Sequence, residues 1–130
     1  MVLDTSAVFA ILVGEPDGDR LQHLIGIATE RRMSALTLYE CRLVLGSRGG
    51  DAMLERLAAL LQAAEVQIDP FDEQQAHLAH AAYRRFGPGS GHPARLNFGD
   101  CAAYALATSL VLPLLYKGDD FAKTDVAAAL

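Results

Sequence analysis

The feature that most constrains this chain is an alternation of lengths. Short apolar runs at Val2-Leu3, Met33 to Leu36, Val66 to Ile68 and Leu112 to Tyr116 are separated by much longer stretches of helical periodicity. A strand too short to pair with itself, followed each time by helix, predicts βαβ units and a parallel sheet packed under helices. Thr5 or Ser6 is placed to cap a helix over Ala7 to Val13, and Gly14-Glu15-Pro16-Asp17-Gly18 is turn chemistry. Further helices are expected from about Asp19 to Arg32, from Thr37 to about Arg48, and from Asp51 to Ala64, with Gly49-Gly50 closing the second of these. Two more are expected from Asp72 to Arg85 and from Asn97 or Phe98 to about Ser109, joined by the loop Gly87 to Pro93. Neither an internal repeat nor a linker interrupts the pattern, so residues 1–130 read as one domain of the α/β class.

Composition narrows the function classes. With 52% hydrophobic and 21% charged residues, the chain is able to bury a core and is not disordered. No apolar run nears the roughly 20 residues of a membrane span, and Leu110 to Tyr116 is broken by Pro113. Cys41 and Cys101 form neither a CxxC pair nor a disulfide framework, and the N-terminus does not read as a signal peptide. The expectation is a cytoplasmic protein with reduced thiols. The formal charge is 11 − 16 = −5, which argues mildly against nucleic-acid binding. One window departs from that balance: between Glu73 and Asp100 there is no acid, while Arg84, Arg85, Arg95, His77, His80 and His92 all fall there.

Certain acids recur at equivalent places. Asp4 follows the first strand, Glu40 lies in the first turn of the helix after the second, Asp100 opens a later helix, and Asp119 and Asp120 follow the last strand. Open α/β sheets bind ligands at the carboxyl ends of their strands, in the crevice where strand order reverses. Each acid also has an ordinary explanation. Thr37 with Glu40 and Asn97 with Asp100 match capping boxes, Asp4 suits a helix cap, and Asp119-Asp120 suit a turn. Those explanations do not require four converging acids. Carboxylates crowded together raise one another's pKa unless something positive joins them. A hard divalent cation with oxygen ligands supplies that charge, and such a site suits phosphodiester hydrolysis by an activated water.

The chain resembles the PIN-domain ribonucleases, and within them the VapC toxins of type II toxin–antitoxin modules. The similarity rests on Met1-Val2-Leu3-Asp4-Thr5-Ser6-Ala7, on Met33-Ser34-Ala35 leading to Glu40, on Leu96-Asn97-Phe98-Gly99-Asp100-Cys101, and on Leu114 to Phe121 followed by Thr124-Asp125. The resemblance implies a PIN-like fold, a short parallel sheet flanked by helices on both faces. It implies an endoribonuclease dependent on Mg²⁺ or Mn²⁺ that arrests growth by cutting RNA, a homodimer, and neutralisation by a cognate VapB-like antitoxin. By motif, Asp4 and Asp100 are implied as direct metal ligands. Glu40 is implied as a ligand through water or as the group orienting the attacking water. The fourth acid is Asp120, which precedes Phe121, or its neighbour Asp119. Thr5 and Ser6 are implied to bond to the cluster, with Thr124 and Asp125 supporting it.

Other readings compete. His92 and Arg95 lie just before Asp100 and are candidate RNA contacts; Arg84 and Arg85 suit an exposed helix end. His77 and His80 share a helix face without a third zinc ligand. Cys41 and Cys101 suit core packing better than nucleophilic catalysis. Tyr39, Phe98, Tyr104 and Phe121 read as core or dimer contacts rather than base-stacking platforms. No Walker loop or GxGxxG is present. A non-catalytic binding module on the same fold is the main alternative function, disfavoured because every candidate acid position is filled. A phosphatase with an aspartyl nucleophile would want a second Asp at position 6, which is Ser6.

Overall fold

The computed structural model describes residues 1–130. The elements run β1 (Val2–Leu3), α1 (Thr5–Val13), α2 (Gly18–Ile27), β2 (Arg32–Ser34), α3 (Ala35–Ala63), β3 (Gln67–Asp69), α4 (Glu73–Phe86), α5 (Phe98–Leu110) and β4 (Leu114–Leu115), ending in a 3₁₀ turn at Phe121–Lys123. The strands form one parallel sheet in the order β3-β2-β1-β4. Strand order therefore reverses between β1 and β4, which makes their carboxyl ends the expected crevice.

Alternation along the strands divides the core in two. Val2 and Leu114 face a cluster built on α4 and α5, including Phe86, Leu106 and Tyr104. Leu3, Met33 and Leu115 face the opposite cluster on α1, α2 and α3, including Val8, Leu21 and Leu45. Helices thus cover both faces, as the resemblance implies; β1 and β4 are wholly apolar and buried, whereas the edge strand β3 (Gln67–Asp69) is polar and largely exposed.

Several boundaries differ from the sequence expectation, for local reasons. α1 begins at Thr5 because Asp4 itself caps it, accepting from the Ser6 amide at 2.9 Å. α2 stops at Ile27, not near Arg32: Ala28 turns extended, and Arg31 donates to the carbonyls of Ile25 and Gly26 at the helix end. Arg32 then belongs to β2, where its guanidinium grips Asp69 of β3 and fixes the register of Ser34 against Asp69. α3 starts at Ala35 under a Ser34 cap, so the expected Thr37–Glu40 capping box does not form. The two helices expected on either side of Gly49-Gly50 are the two halves of α3, which breaks at Gly50 (φ 63°, ψ −153°). The C-terminal tail adds an edge pairing, with Ala128 bridging Leu114 in parallel.

Candidate active site

A cavity of about 400 Å³ opens at the carboxyl ends of β1 and β4, and Asp4, Glu40 and Asp100 all line it. The chain's topology brings them there from three directions. Asp4 is the residue after β1, Glu40 lies in the second turn of α3, and Asp100 is the third residue of α5. Thr5, Ser6, Glu15 and Lys117 complete most of the polar wall.

Helix capping and site building turn out to be the same act. Asp4 uses Oδ2 for its cap, accepting from the Ser6 amide and from Ser6 Oγ at 2.6 Å. Its other oxygen, Oδ1, is buried and has no hydrogen-bond partner. Asp100 closes a true capping box with Asn97, each side chain accepting from the other's backbone amide at 2.9 Å, and Asp100 also spends only Oδ2. Each cap therefore fixes one carboxylate oxygen and leaves the second for the cavity.

Glu40 is held differently. Thr5 donates its hydroxyl to Oε1. Oε2 rests against Gly99, where a Cβ would collide with it. No side chain fits at position 99 while Glu40 keeps this place.

The electrostatics follow from burial and from like charges. Asp4 is 2% exposed, and burial, with Glu40 adding to it, pushes its carboxyl up to about 6 against the Ser6 hydrogen bonds. Burial again, with the charges of Asp4, Glu40 and Asp120, pushes Asp100 up to about 7 against the Asn97 amide. The charge of Asp120 thus reaches Asp100. Asp119 and Asp120 are both exposed, and neither lines the cavity wall.

A divalent cation fits this arrangement. Asp4, with one buried and unpartnered carboxylate oxygen, lines the same cavity as Glu40 and Asp100, and carboxylate oxygens are the donor set a hard oxygen-seeking ion takes. No three His, Cys, Asp or Glu side chains are close enough together to chelate an ion among them. A divalent cation that takes one or two carboxylates directly and keeps water in its other positions suits such a set.

The remaining expected residues lie elsewhere. Thr124 Oγ1 donates to the Phe121 carbonyl at 2.7 Å and accepts from the Val126 amide. Asp125 accepts from Tyr104 Oη at 2.6 Å and from Arg85 at 2.9 Å. Neither lines the acidic cavity. His92 is committed to its loop: Nδ1 accepts from the Ala94 amide, and the ring packs edge-on to Phe86 at 4.8 Å. Arg95 is exposed with φ 55° and also lies outside the cavity lining. His77 pairs loosely with Glu73 in solvent. Cys41 and Cys101 are buried free thiols that burial pushes up to about 12, so neither is a thiolate nucleophile at neutral pH. Tyr104 and Phe121 are core, whereas Tyr39 and Phe98 are 58% and 75% exposed.

The PIN domain profile matches residues 1–127. The chain belongs to the PIN-domain family. This PIN domain is 48% identical over 130 residues to Ribonuclease VapC28 of Mycobacterium tuberculosis, covering 100% of this chain and 98% of that one. It is 44% identical over 128 residues to Ribonuclease VapC of Mycolicibacterium smegmatis, with 98% of each chain covered. These full-length relatives make it a PIN domain of the VapC ribonuclease group. Among solved structures, M. tuberculosis VapC20, a sarcin–ricin loop cleaving toxin, matches with TM-score 0.77 at 19% identity, over 97% of this chain and 95% of that one. FitAcB from Neisseria gonorrhoeae matches with TM-score 0.69 at 23% identity, over 98% and 94%. At such identities the two structures speak for the PIN fold alone.

Three contributors to the PIN-domain cavity were not singled out for it in the sequence. Gly99 carries no chemistry of its own, and its signal is geometric. Glu15 and Lys117 read as turn residues, yet they meet across 102 positions of chain on the cavity wall. Glu15 follows α1, whose other end carries Asp4, and Lys117 follows β4, which pairs with β1 just before Asp4.

Proposed function

We propose that this PIN domain is the toxin of a type II toxin–antitoxin module, an endoribonuclease that hydrolyses RNA phosphodiester bonds with the help of Mg²⁺ or Mn²⁺. The observation that carries the proposal is the unpartnered, buried Asp4 Oδ1 in a cavity shared with Asp100 and Glu40. Asp4 and Asp100 would hold the ion, with Glu40 reaching it through water. When bound, such an ion lowers the pKa of a water and offsets charge on the phosphorus oxygens.

The chain's own residues do the rest. The caps of α1 and α5 fix one oxygen of each aspartate, so neither carboxylate rotates away. Thr5 holds Glu40 Oε1, and Gly99 leaves room for Oε2, which is free to accept a proton from the attacking water. Asp120 is the preferred fourth acid because its charge reaches Asp100. Ser6 acts on Asp4 directly. Arg95 is a candidate RNA contact at the surface, while His92 serves its loop.

Partners follow the same relatives. The substrate is RNA, and a VapB-like antitoxin is the cognate inhibitor. A second copy of the chain is proposed to cover the apolar surface of Tyr39, Leu43 and Phe98, which are 58%, 53% and 75% exposed beside the cavity. Soluble RNA as substrate and reduced buried thiols suit a cytoplasmic setting; no helix is long and apolar enough to cross a membrane.

The test is cleavage of total bacterial RNA by the purified protein. Cleavage that EDTA stops and Mg²⁺ or Mn²⁺ restores supports the proposal. Cleavage indifferent to chelation, or none at all under any divalent ion, contradicts it.

A further inference from the structure

Lys117 is the one basic side chain on the wall of a cavity whose other charged groups, Asp4, Glu15, Glu40 and Asp100, are all acids. Its ammonium bonds Glu15 and also Asp17 at 3.0 Å, both in the turn that follows α1. Its backbone amide donates to Ser6 Oγ at 2.9 Å, and Ser6 in turn donates to Asp4. Lys117 is thus fixed at both ends relative to the aspartate at the heart of the site.

We infer that Lys117 is a phosphate-binding residue of this nuclease, a reading that rests on the function proposed above. An ammonium has three N–H donors, and Glu15 and Asp17 engage two of them, which leaves one for a phosphate oxygen. The side chains of Lys117, Glu15 and Asp17 are 36%, 30% and 37% exposed. Ion pairs this open to water contribute little, so sharing the ammonium with a ligand costs little. The need is also clear. An anionic phosphodiester must enter a cavity lined by four carboxylates, and a divalent ion offsets only part of that charge. Glu15 and Asp17 act as tethers that keep the long, flexible lysine on the wall instead of in solvent.

A phosphate contact leaves a signature that a purely structural role does not: it contributes to the salt dependence of RNA binding. For single-stranded RNA each contact adds about 0.7 to the slope of log K against log salt. Binding of a fluorescein-labelled twelve-nucleotide oligouridylate, followed by anisotropy in Ca²⁺, measures it. Lys117→Met should bind more weakly and have a slope shallower by about 0.7, so between 50 and 200 mM salt the wild type loses about 2.6-fold more affinity than the variant. Lys117→Arg keeps the charge and should restore the slope. If Lys117→Met folds with wild-type melting yet keeps the wild-type slope, the assignment is overturned. If it melts early, Lys117→Gln, which keeps polar donors for Glu15 and Asp17 but removes the charge, takes its place: a folded Gln variant with a slope shallower by about 0.7 supports the contact, and one with the wild-type slope refutes it. Wild-type protein that fails to cut total bacterial RNA in Mg²⁺ or Mn²⁺ overturns the nuclease reading itself and leaves the binding slopes as a separate result.

Discussion

Asp100 lies in α5 and Asp125 bonds to Tyr104 of the same helix, yet the structure drives their carboxyls in opposite directions. Asp125 receives the Tyr104 hydroxyl and then Arg85, which hold it below the ordinary carboxylate range. Asp100 faces burial and three other acids, and is pushed up to about 7. Tyr104, pushed up to about 12 chiefly by burial and then by Asp125, stays a hydrogen-bond donor. Asp125 has been given its cation and pins the C-terminal segment. Asp4 and Asp100 have been given everything except a cation, and the two helix caps keep them from escaping each other.

Neutralising the acids in the two environments separates them most strongly. Asp4→Asn and Asp100→Asn should each lower RNA cleavage by about a hundredfold or more, because several kcal/mol of charge stabilisation go with the ion. Both should stay folded, since Asn caps a helix as well as Asp does. Asp125→Asn should leave cleavage near wild type and cost stability on the order of 1 kcal/mol, the worth of an exposed ion pair and one hydrogen bond. Cleavage assays with melting curves on the three variants check this.

Gly99→Ala should come next. The added Cβ displaces the Glu40 carboxylate, a flexible group, and leaves the backbone in place. Cleavage should fall by about tenfold to a hundredfold with little change in melting, as expected for a misplaced catalytic group. A smaller effect separates the tandem acids. Asp120→Asn should reduce cleavage several-fold and Asp119→Asn less, because Asp120 alone of the two bears on Asp100.

The smallest effect lies in stability against pH. Asp4 and Asp100 have raised folded values, so the folded state binds protons more tightly than the unfolded chain between pH 3.8 and about 6 to 7. Their contribution to stability is full below that window and is lost as pH rises through it. Asp125 does the reverse: its contribution holds above pH 3.8 and fades as pH falls through its lowered value. Mg²⁺ should therefore raise the melting temperature more at pH 8 than at pH 5. At tenfold excess over Kd the gain is about 1.4 kcal/mol, on the order of 5 °C. Equal shifts at both pH values would blur the distinction between the two regions.

Much of this was legible in the sequence because local rules and the fold agree. The strand–helix alternation gave the parallel sheet, and Gly49-Gly50 marked the break inside α3. The Asn97–Asp100 capping box was readable from spacing and is present, and it proved compatible with the site. The Thr37–Glu40 box was misleading because Ser34 captures the helix start three residues earlier, freeing Glu40 for Thr5. Tyr39 and Phe98 read as core or dimer contacts by type, and the fold rules out the core for both, since each is largely exposed on its helix. Glu15, Lys117 and Gly99 were invisible as site residues because their roles exist only after chain segments about a hundred or about sixty residues apart come together.

The titration of the Asp4 and Asp100 carboxyls, followed by ¹³C NMR of the side-chain carboxyls with and without Mg²⁺, is the most direct test of a cation site. Without the ion, the pair should show apparent values well above the ordinary aspartate range, shared between the two groups; with saturating Mg²⁺, both should fall below that range. Ordinary titration near pH 4 in the metal-free protein, or raised values that ignore Mg²⁺, would contradict it.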